Sequence, residues 1–143
     1  MTKTIEQFEK EVFDTIRANK YIELPPIIHE RGIATIKLRF RIKMIRNSFI
    51  QFYYNEDNGK TSMVLVIKAC RVYGHDYTPQ QGWHRHLPPQ GEHDYTPNGK
   101  RSITVKKFVE QVDSIIKSYV PVSSKSRNRK RNPQNSSPTK TQT

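Results

Sequence analysis

The stretch Ile36-Lys-Leu-Arg-Phe-Arg-Ile-Lys-Met44 carries the strongest pattern in the chain. Apolar and basic side chains alternate strictly along it. Because successive side chains of a β-strand point to opposite faces, a period of two is typical of a strand that is half buried. The stretch therefore predicts a strand with its apolar side chains, Met44 included, in the core and a row of cations in water.

Two further strands are predicted directly after it. Ser48–Asn55 is rich in aromatic residues, and the turn Glu56–Lys60 contains Asn58-Gly59, which readily adopts the positive φ of a tight hairpin. Thr61–Tyr73 contains Met63-Val-Leu-Val-Ile67, which is apolar on both faces of a strand. This last pattern predicts a single central strand covered by helices.

Helices are predicted on both sides of these strands. Residues 4–19 and 102–120 carry apolar side chains at helical spacing, and Thr4 with Gln7 fits a capping box. Residues 21–32, with Pro25-Pro26, read as a connecting segment, and residues 76–101, rich in proline and glycine, read as a loop or short strand. The predicted fold class is α+β: an antiparallel meander of three to five strands packed by an N-terminal and a C-terminal helix.

Charge divides the chain into a body and a tail. The net charge is +12, from 25 Lys and Arg against 13 Asp and Glu. Residues 123–143 contain six of these cations, no acid and no apolar side chain. Such a composition does not offset the entropy of ordering. We expect a single α+β domain over residues 1–122 and a disordered basic tail over residues 123–143.

Membrane and secreted classes are not expected. The longest uninterrupted apolar run is Met63–Ile67, whereas a helix needs roughly 18 apolar residues to span a bilayer. The N-terminal residues include acids where a signal peptide needs an apolar region. Cys70 is the only cysteine, so no internal disulfide can form. We expect a protein of the reducing cytoplasm that has no membrane partner.

Four of the five histidines fall within 19 residues. In extended chain, Trp83-His-Arg-His-Leu87 places His84 and His86 on one face, roughly 7 Å apart. Two imidazoles can take a proton from a ribose 2′-hydroxyl and return one to the leaving oxygen. Arg71 or Arg85 could hold the phosphate and stabilise the developing charge. This chemistry predicts no cofactor and no metal.

Two other interpretations of the histidines stay open. A metal ion could be ligated by His84 and His86 with a further donor from His75, His93, Asp76 or Asp94, although the spacing matches no fixed zinc signature. The rings could also serve structure alone, by bonding loop backbone or stacking on aromatic residues.

The sequence His-Asp-Tyr-Thr-Pro occurs twice, at 75–79 and 93–97, and predicts two turns of one type.

The basic side chains of the opening stretch suggest a polyanionic partner. Lys37, Arg39, Arg41 and Lys43 have no acid among them, and side chains on one strand face recur about every 6.7 Å. Such a row can follow a phosphate backbone, and nearby aromatic side chains can stack on bases. We expect nucleic acid as the partner, RNA rather than DNA because the histidine chemistry uses the 2′-hydroxyl.

The order of these features resembles the TumE-type toxins of prokaryotic toxin–antitoxin pairs. The likeness rests on Arg41–Gln51, on Arg71-Val-Tyr-Gly-His-Asp76, on Gly82-Trp-His-Arg-His-Leu87 and on the helix predicted over 102–119. It implies functional roles for four positions, Arg71, Asp76, His84 and His86. It also implies a cognate antitoxin protein.

Three functions remain as hypotheses. The first is a small toxin-like, metal-independent ribonuclease that uses His84 and His86. The second is a non-catalytic nucleic-acid-binding module that uses the basic strand face and the tail. The third is an interaction protein whose basic surface docks an acidic partner.

Overall fold

The computed structural model describes residues 3–120, in which one helix precedes and one follows a meander of seven strands. Each strand pairs antiparallel with the next along the chain, so that the sheet order is β1 to β7. This confirms the α+β class, with more strands than the three to five predicted. The elements are α1 Ile5–Arg17, β1 Ile28–Arg31, β2 Thr35–Arg41, β3 Phe49–Asn55, β4 Thr61–Ile67, β5 Cys70–Thr78, β6 Gly82–Leu87, β7 Glu92–Asp94, a 3₁₀ helix Pro97–Lys100 and α2 Val105–Tyr119.

The helix starts follow from local side-chain chemistry. The Thr4 hydroxyl accepts a hydrogen bond from the Gln7 amide, and the Gln7 side chain accepts one from the Thr4 amide, which confirms the capping box. The Thr104 hydroxyl caps α2 by accepting from the Lys107 amide. Each cap satisfies amides that the first turn of a helix leaves without an internal partner.

Both helices pack on the same face of the sheet. The ring of Phe8 in α1 stacks on Tyr54, and the ring of Phe108 in α2 contacts Phe52 edge-on, with centroids 4.7 and 6.2 Å apart. Phe52 and Tyr54 are two residues apart on β3 and therefore share a face. The core lies between this face and the helices. Among residues 3–120, no helix covers the opposite face, which we call the open face.

The opening stretch forms its strand, but the strand is shorter than predicted. Its core face is as expected, with Leu38 and Phe40 fully buried. The strand β2 ends at Arg41, and a turn with positive φ at Met44 follows. As a correction, Met44 is 76% exposed and Ile45 is buried instead. The turn reverses the chain into β3, which stops the alternation.

The segment 61–101 differs most from its prediction. As a correction, Thr61–Tyr73 is not one central strand: Lys68 and Ala69, both at positive φ, form a tight turn between β4 and β5. The burial of β4 alternates strictly, so only one of its faces meets the helices. Residues 76–101, predicted as a loop or short strand, contain the end of β5, the strands β6 and β7 and the 3₁₀ helix.

The remaining expectations on organisation concern the single domain, the tail and membrane-spanning helices. Residues 3–120 share one hydrophobic core, to which both helices and β2 to β5 contribute. The expected disordered tail at residues 123–143 lies outside the described residues. Within residues 3–120, neither helix has the length and apolar character that crossing a bilayer requires.

Candidate active site on the open face of the sheet

The predicted site residues meet on the open face because of the strand register. Two rows of side chains run across the sheet, each formed by residues directly opposite one another on neighbouring strands. The first row is Lys37, Tyr53, Ser62, Asp76 and His84, and the second is Arg39, Gln51, Val64, Gly74, His86 and His93. Both rows contain a cation on β2 and end in histidine. On β1, Glu30 lies opposite Lys37 and Ile28 lies opposite Arg39. With strands about 4.8 Å apart, β2 and β6 lie roughly 19 Å from each other.

At the histidine end, Asp76, His84 and His86 form a compact group that we call the Asp–His cluster. The Nε2 atom of His84 lies 3.6 Å from Asp76 Oδ2, and the Nε2 atom of His86 lies 3.9 Å from the same oxygen. The three side chains are mostly buried, with 15 to 21% of their area exposed. The prediction that His84 and His86 share a face holds in the structure, because both project from one side of β6.

Arg71 reaches the cluster through a β-bulge. Arg71 and Asp76 are five residues apart and would face opposite sides of a regular strand. Here Val66 pairs with Arg71 while Leu65 pairs with Tyr73, so β5 holds one extra residue. The bulge turns Arg71 to the open face, where its Nη2 atom donates a hydrogen bond of 2.7 Å to Asp76 Oδ2.

Gly74 provides the space for that contact. A Cβ atom at this position would lie 2.8 Å from Arg71 Nη2 and 3.1 Å from the carbonyl oxygen of Met63. The Arg71 guanidinium therefore passes over Gly74 on its way to Asp76. Sequence reasoning missed this residue, although glycine inside a strand indicates close approach of another group.

The ring orientation of His86 is fixed by backbone. Its Nδ1 atom lies 3.0 Å from the carbonyl oxygen of Gly91. Because a carbonyl only accepts, Nδ1 carries the proton, and the neutral ring presents its Nε2 lone pair to the cluster. Burial lowers the pKa of His86, which favours this neutral form.

Gly91, whose carbonyl binds His86, has φ +71°, and a Cβ there would lie 2.7 Å from the Arg71 carbonyl oxygen. Sequence reasoning missed Gly91 as well.

His93 from β7 closes one side of the cluster. Its ring stacks on that of His84, with centroids 5.5 Å apart and planes within 13°, and it contacts the His86 ring edge-on. The exposed ring of Tyr95 packs against it in turn. Three histidines thus line one patch at the end of the rows.

The cations on β2 form the other end of the open face, and Lys37, Arg39 and Arg41 are called the basic row below. The guanidinium of Arg39 lies 3.9 Å from the ring centroid of Phe49 and donates to Gln51. Arg41 lies 3.6 Å from a Glu23 carboxylate oxygen. As a correction, Lys43 is not part of this row, because it lies in the turn after β2, where its amide donates to the Tyr21 carbonyl.

Arg85 does not join the cluster, which corrects the prediction that it clamps a phosphate there. It lies between His84 and His86 on β6 and therefore points to the helix-covered face. There its Nε and Nη2 atoms donate to Asp94 Oδ2, the Nε bond at 2.9 Å. Hydrogen bonds from Thr96 and Arg85 lower the pKa of Asp94 to about 2. The pair holds β6 to β7 behind the cluster.

The two His-Asp-Tyr-Thr-Pro copies do not form equal turns, contrary to expectation. In the first copy His75 is buried against Phe108 and bonds the Tyr73 hydroxyl, while Asp76 faces the cluster. In the second copy Asp94 is buried and caps a turn by accepting from Thr96. Of the further metal donors considered, the structure brings Asp76 and His93 to the histidine pair and places His75 and Asp94 on the opposite face.

The chain matches no family model, no curated protein and no solved structure. The fold and the site therefore define its class by themselves. It is an α+β domain with an uncovered antiparallel sheet face, and that face joins a basic row to a cluster of histidines, a carboxylate and an arginine.

Proposed function

We propose that this protein is a toxin-like ribonuclease that binds single-stranded RNA along the open face and cleaves it at the Asp–His cluster. The observation that carries the proposal is the common face: cross-strand rows join Lys37 and Arg39 to His84 and His86 without interruption. Cations along such a surface can hold phosphates, and Tyr53 lies between them and the cluster, where its ring can stack on a base.

The proposed reaction assigns the proton transfers to the two histidines. His86 Nε2 accepts the proton of a ribose 2′-hydroxyl, and the 2′-oxygen attacks the adjacent phosphorus. The bond from phosphorus to the 5′-oxygen then breaks, and His84 in its protonated form donates a proton to that leaving oxygen. The products are a 2′,3′-cyclic phosphate and a free 5′-hydroxyl.

Charged neighbours support these roles. The Arg71 guanidinium, 2.7 Å from Asp76, can bind the phosphate and stabilise the charge that develops on its oxygens. The Asp76 carboxylate lies 3.6 Å from His84 Nε2, which places an anionic group beside the ring that protonates the departing oxygen. Mutual placement of an acid, a base and an anion-binding cation is the minimum for this reaction class.

The biological setting is part of the proposal. The resemblance to TumE-type toxins supports a cognate antitoxin as protein partner. An RNA substrate and the lone cysteine Cys70 support action in the cytoplasm. If RNA binds with strong salt dependence but is never cut, the open face is a non-catalytic nucleic-acid-binding module instead.

The test is RNA cleavage by the full chain treated with EDTA. Wild type should cut a single-stranded RNA and leave 2′,3′-cyclic phosphate ends, while an RNA with one 2′-deoxy linkage should resist cleavage there. His84→Ala and His86→Ala should each lower the rate at least about 100-fold. His29→Ala is the matched control, because His29 pairs with Glu9 of α1 away from the cluster. Equal rates in all four proteins would refute the proposal.

A further inference from the structure

The donor atoms of the Asp–His cluster converge more closely than proton transfer requires. One atom from each of Asp76, His84 and His86 lies within 4.8 Å of the other two. Two acid–base histidines act on two different oxygens of the substrate, so they do not need a common focus. A common focus is the arrangement that serves a single small cation.

From this convergence we infer that Asp76, His84 and His86 bind one divalent transition-metal ion of the zinc type. We further infer that the bound ion inhibits the proposed ribonuclease. Two imidazoles and one carboxylate are a common ligand set for such ions, and three protein ligands leave a coordination position for water. The inhibitory part rests on the proposed function, whereas the binding itself does not.

The cluster is already organised for an ion in two respects. The Gly91 carbonyl fixes the proton on His86 Nδ1, so that the Nε2 lone pair points to where the three donor atoms converge. Metal-bound histidines commonly have such a hydrogen-bond partner on their other ring nitrogen. Asp76 Oδ1 is buried and has no hydrogen-bond partner among residues 3–120. A buried carboxylate oxygen without a partner is costly, and an ion bound by both carboxylate oxygens of Asp76 would satisfy it.

Inhibition follows because the ion would occupy the nitrogen lone pairs of His84 and His86 that proton transfer needs. A ring nitrogen that coordinates an ion cannot accept a proton, so the ion-bound protein would lack its base at His86 and its acid at His84. Arg71 opposes the ion, since its guanidinium is a positive charge bonded to Asp76 Oδ2. The ion and the Arg71 contact therefore compete for one carboxylate.

The test is titration of Zn²⁺ into the EDTA-stripped full chain, followed by calorimetry without RNA. We expect one ion per chain, and at least tenfold weaker binding for His84→Ala, His86→Ala and Asp76→Asn. His86→Gln provides a second variant that keeps the size of the side chain, should His86→Ala fold poorly. Two controls are expected to bind at least as tightly as wild type: His29→Ala, which is remote, and Arg71→Ala, which removes a competing charge and no donor.

The outcomes separate the two proposals. Absence of stoichiometric binding, or equal binding by all variants, overturns the metal site. Stoichiometric binding without any RNA cleavage supports the metal site and refutes the ribonuclease. Cleavage in EDTA that Zn²⁺ suppresses supports both, whereas cleavage that requires Zn²⁺ overturns the inhibitory role.

Discussion

His75 makes the stability of the domain depend on pH in a way that can be calculated. Its side chain lies between β5 and α2, with its Nε2 atom 2.9 Å from the Tyr73 hydroxyl and its ring edge-on to Phe108. Burial, reinforced by the charge of Arg85, lowers the pKa of His75 to about 4. Because the folded state excludes a proton that the unfolded chain accepts at about pH 6.5, stability is complete above pH 6.5 and is lost as the pH falls toward 4.

The size of the loss follows from the two pKa values. Between pH 7.5 and pH 5 the unfolded state gains the proton almost fully while the folded state gains almost none. At about 1.36 kcal/mol per pKa unit, this lowers the free energy of unfolding by about 2 kcal/mol. Asp94 does not contribute in this window, since its pKa falls from 3.8 to about 2 and its stabilising effect is lost only at lower pH.

The assay is urea unfolding of the EDTA-treated chain at pH 7.5 and pH 5, for wild type and for His75→Gln. The glutamine cannot titrate, so wild type should lose about 2 kcal/mol more than the variant over this interval. His86, whose pKa is also lowered, changes both proteins alike and cancels in the comparison. Losses that agree within about 0.5 kcal/mol would refute the claim that His75 is held neutral in the folded state.

Three further predictions concern the open face and the core. Replacing all three residues of the basic row by glutamine should lower the salt dependence of single-stranded RNA binding. Measured by fluorescence anisotropy, the slope of log affinity against log salt concentration should fall by about 2 in magnitude. An unchanged slope would show that RNA binds elsewhere. Gly74→Ala should displace Arg71 from Asp76 and slow RNA cleavage, and a wild-type cleavage rate would contradict the assigned role of Arg71. The loss of this part-exposed ion pair lowers the free energy of unfolding by no more than about 1 kcal/mol, to which the close contact of the new Cβ with the Met63 carbonyl oxygen adds. Phe108→Ala should lower the free energy of unfolding in urea by about 3 to 5 kcal/mol, because this α2 ring is fully buried against β3 and β5. A loss below about 1 kcal/mol would contradict this packing.

Hydrophobic periodicity was enough to predict the fold class but not the number of strands. The alternation around Leu38 and Phe40 is strong because one face of β2 is buried and the other is open. The turn at Lys68-Ala69 was missed because neither residue is among the usual occupants of a position with positive φ. Without that turn, Thr61–Tyr73 resembles one strand, and its apolar centre Met63–Ile67 resembles a strand buried on both faces.

The site was predicted in part for the same reason. A period of two correctly places His84 and His86 on one face of β6. The same period places Arg85, which lies between them, on the opposite face. The prediction that Arg85 clamps a phosphate beside the histidines was therefore inconsistent with the strand pattern. Arg71 shows the opposite case. Its odd spacing from Asp76 argues against a shared face, and only the bulge in β5 brings the two together. Gly74, a glycine inside this strand, is the one sequence signal that could have indicated it.

The repeated pentapeptide shows why register, not local sequence, decides which residues reach the site. In the first copy the pairing of Asp76 with His84 places the acid on the open face and buries His75. In the second copy the pairing of His93 with His86 exposes the imidazole and buries the acid Asp94. Identical residues thus take opposite faces, because a shift of one residue reverses every side chain of a strand. The Asp–His cluster therefore takes its carboxylate, Asp76, from one copy and is flanked by the His93 ring of the other, while the buried His75 and Asp94 lie on the opposite face of the sheet.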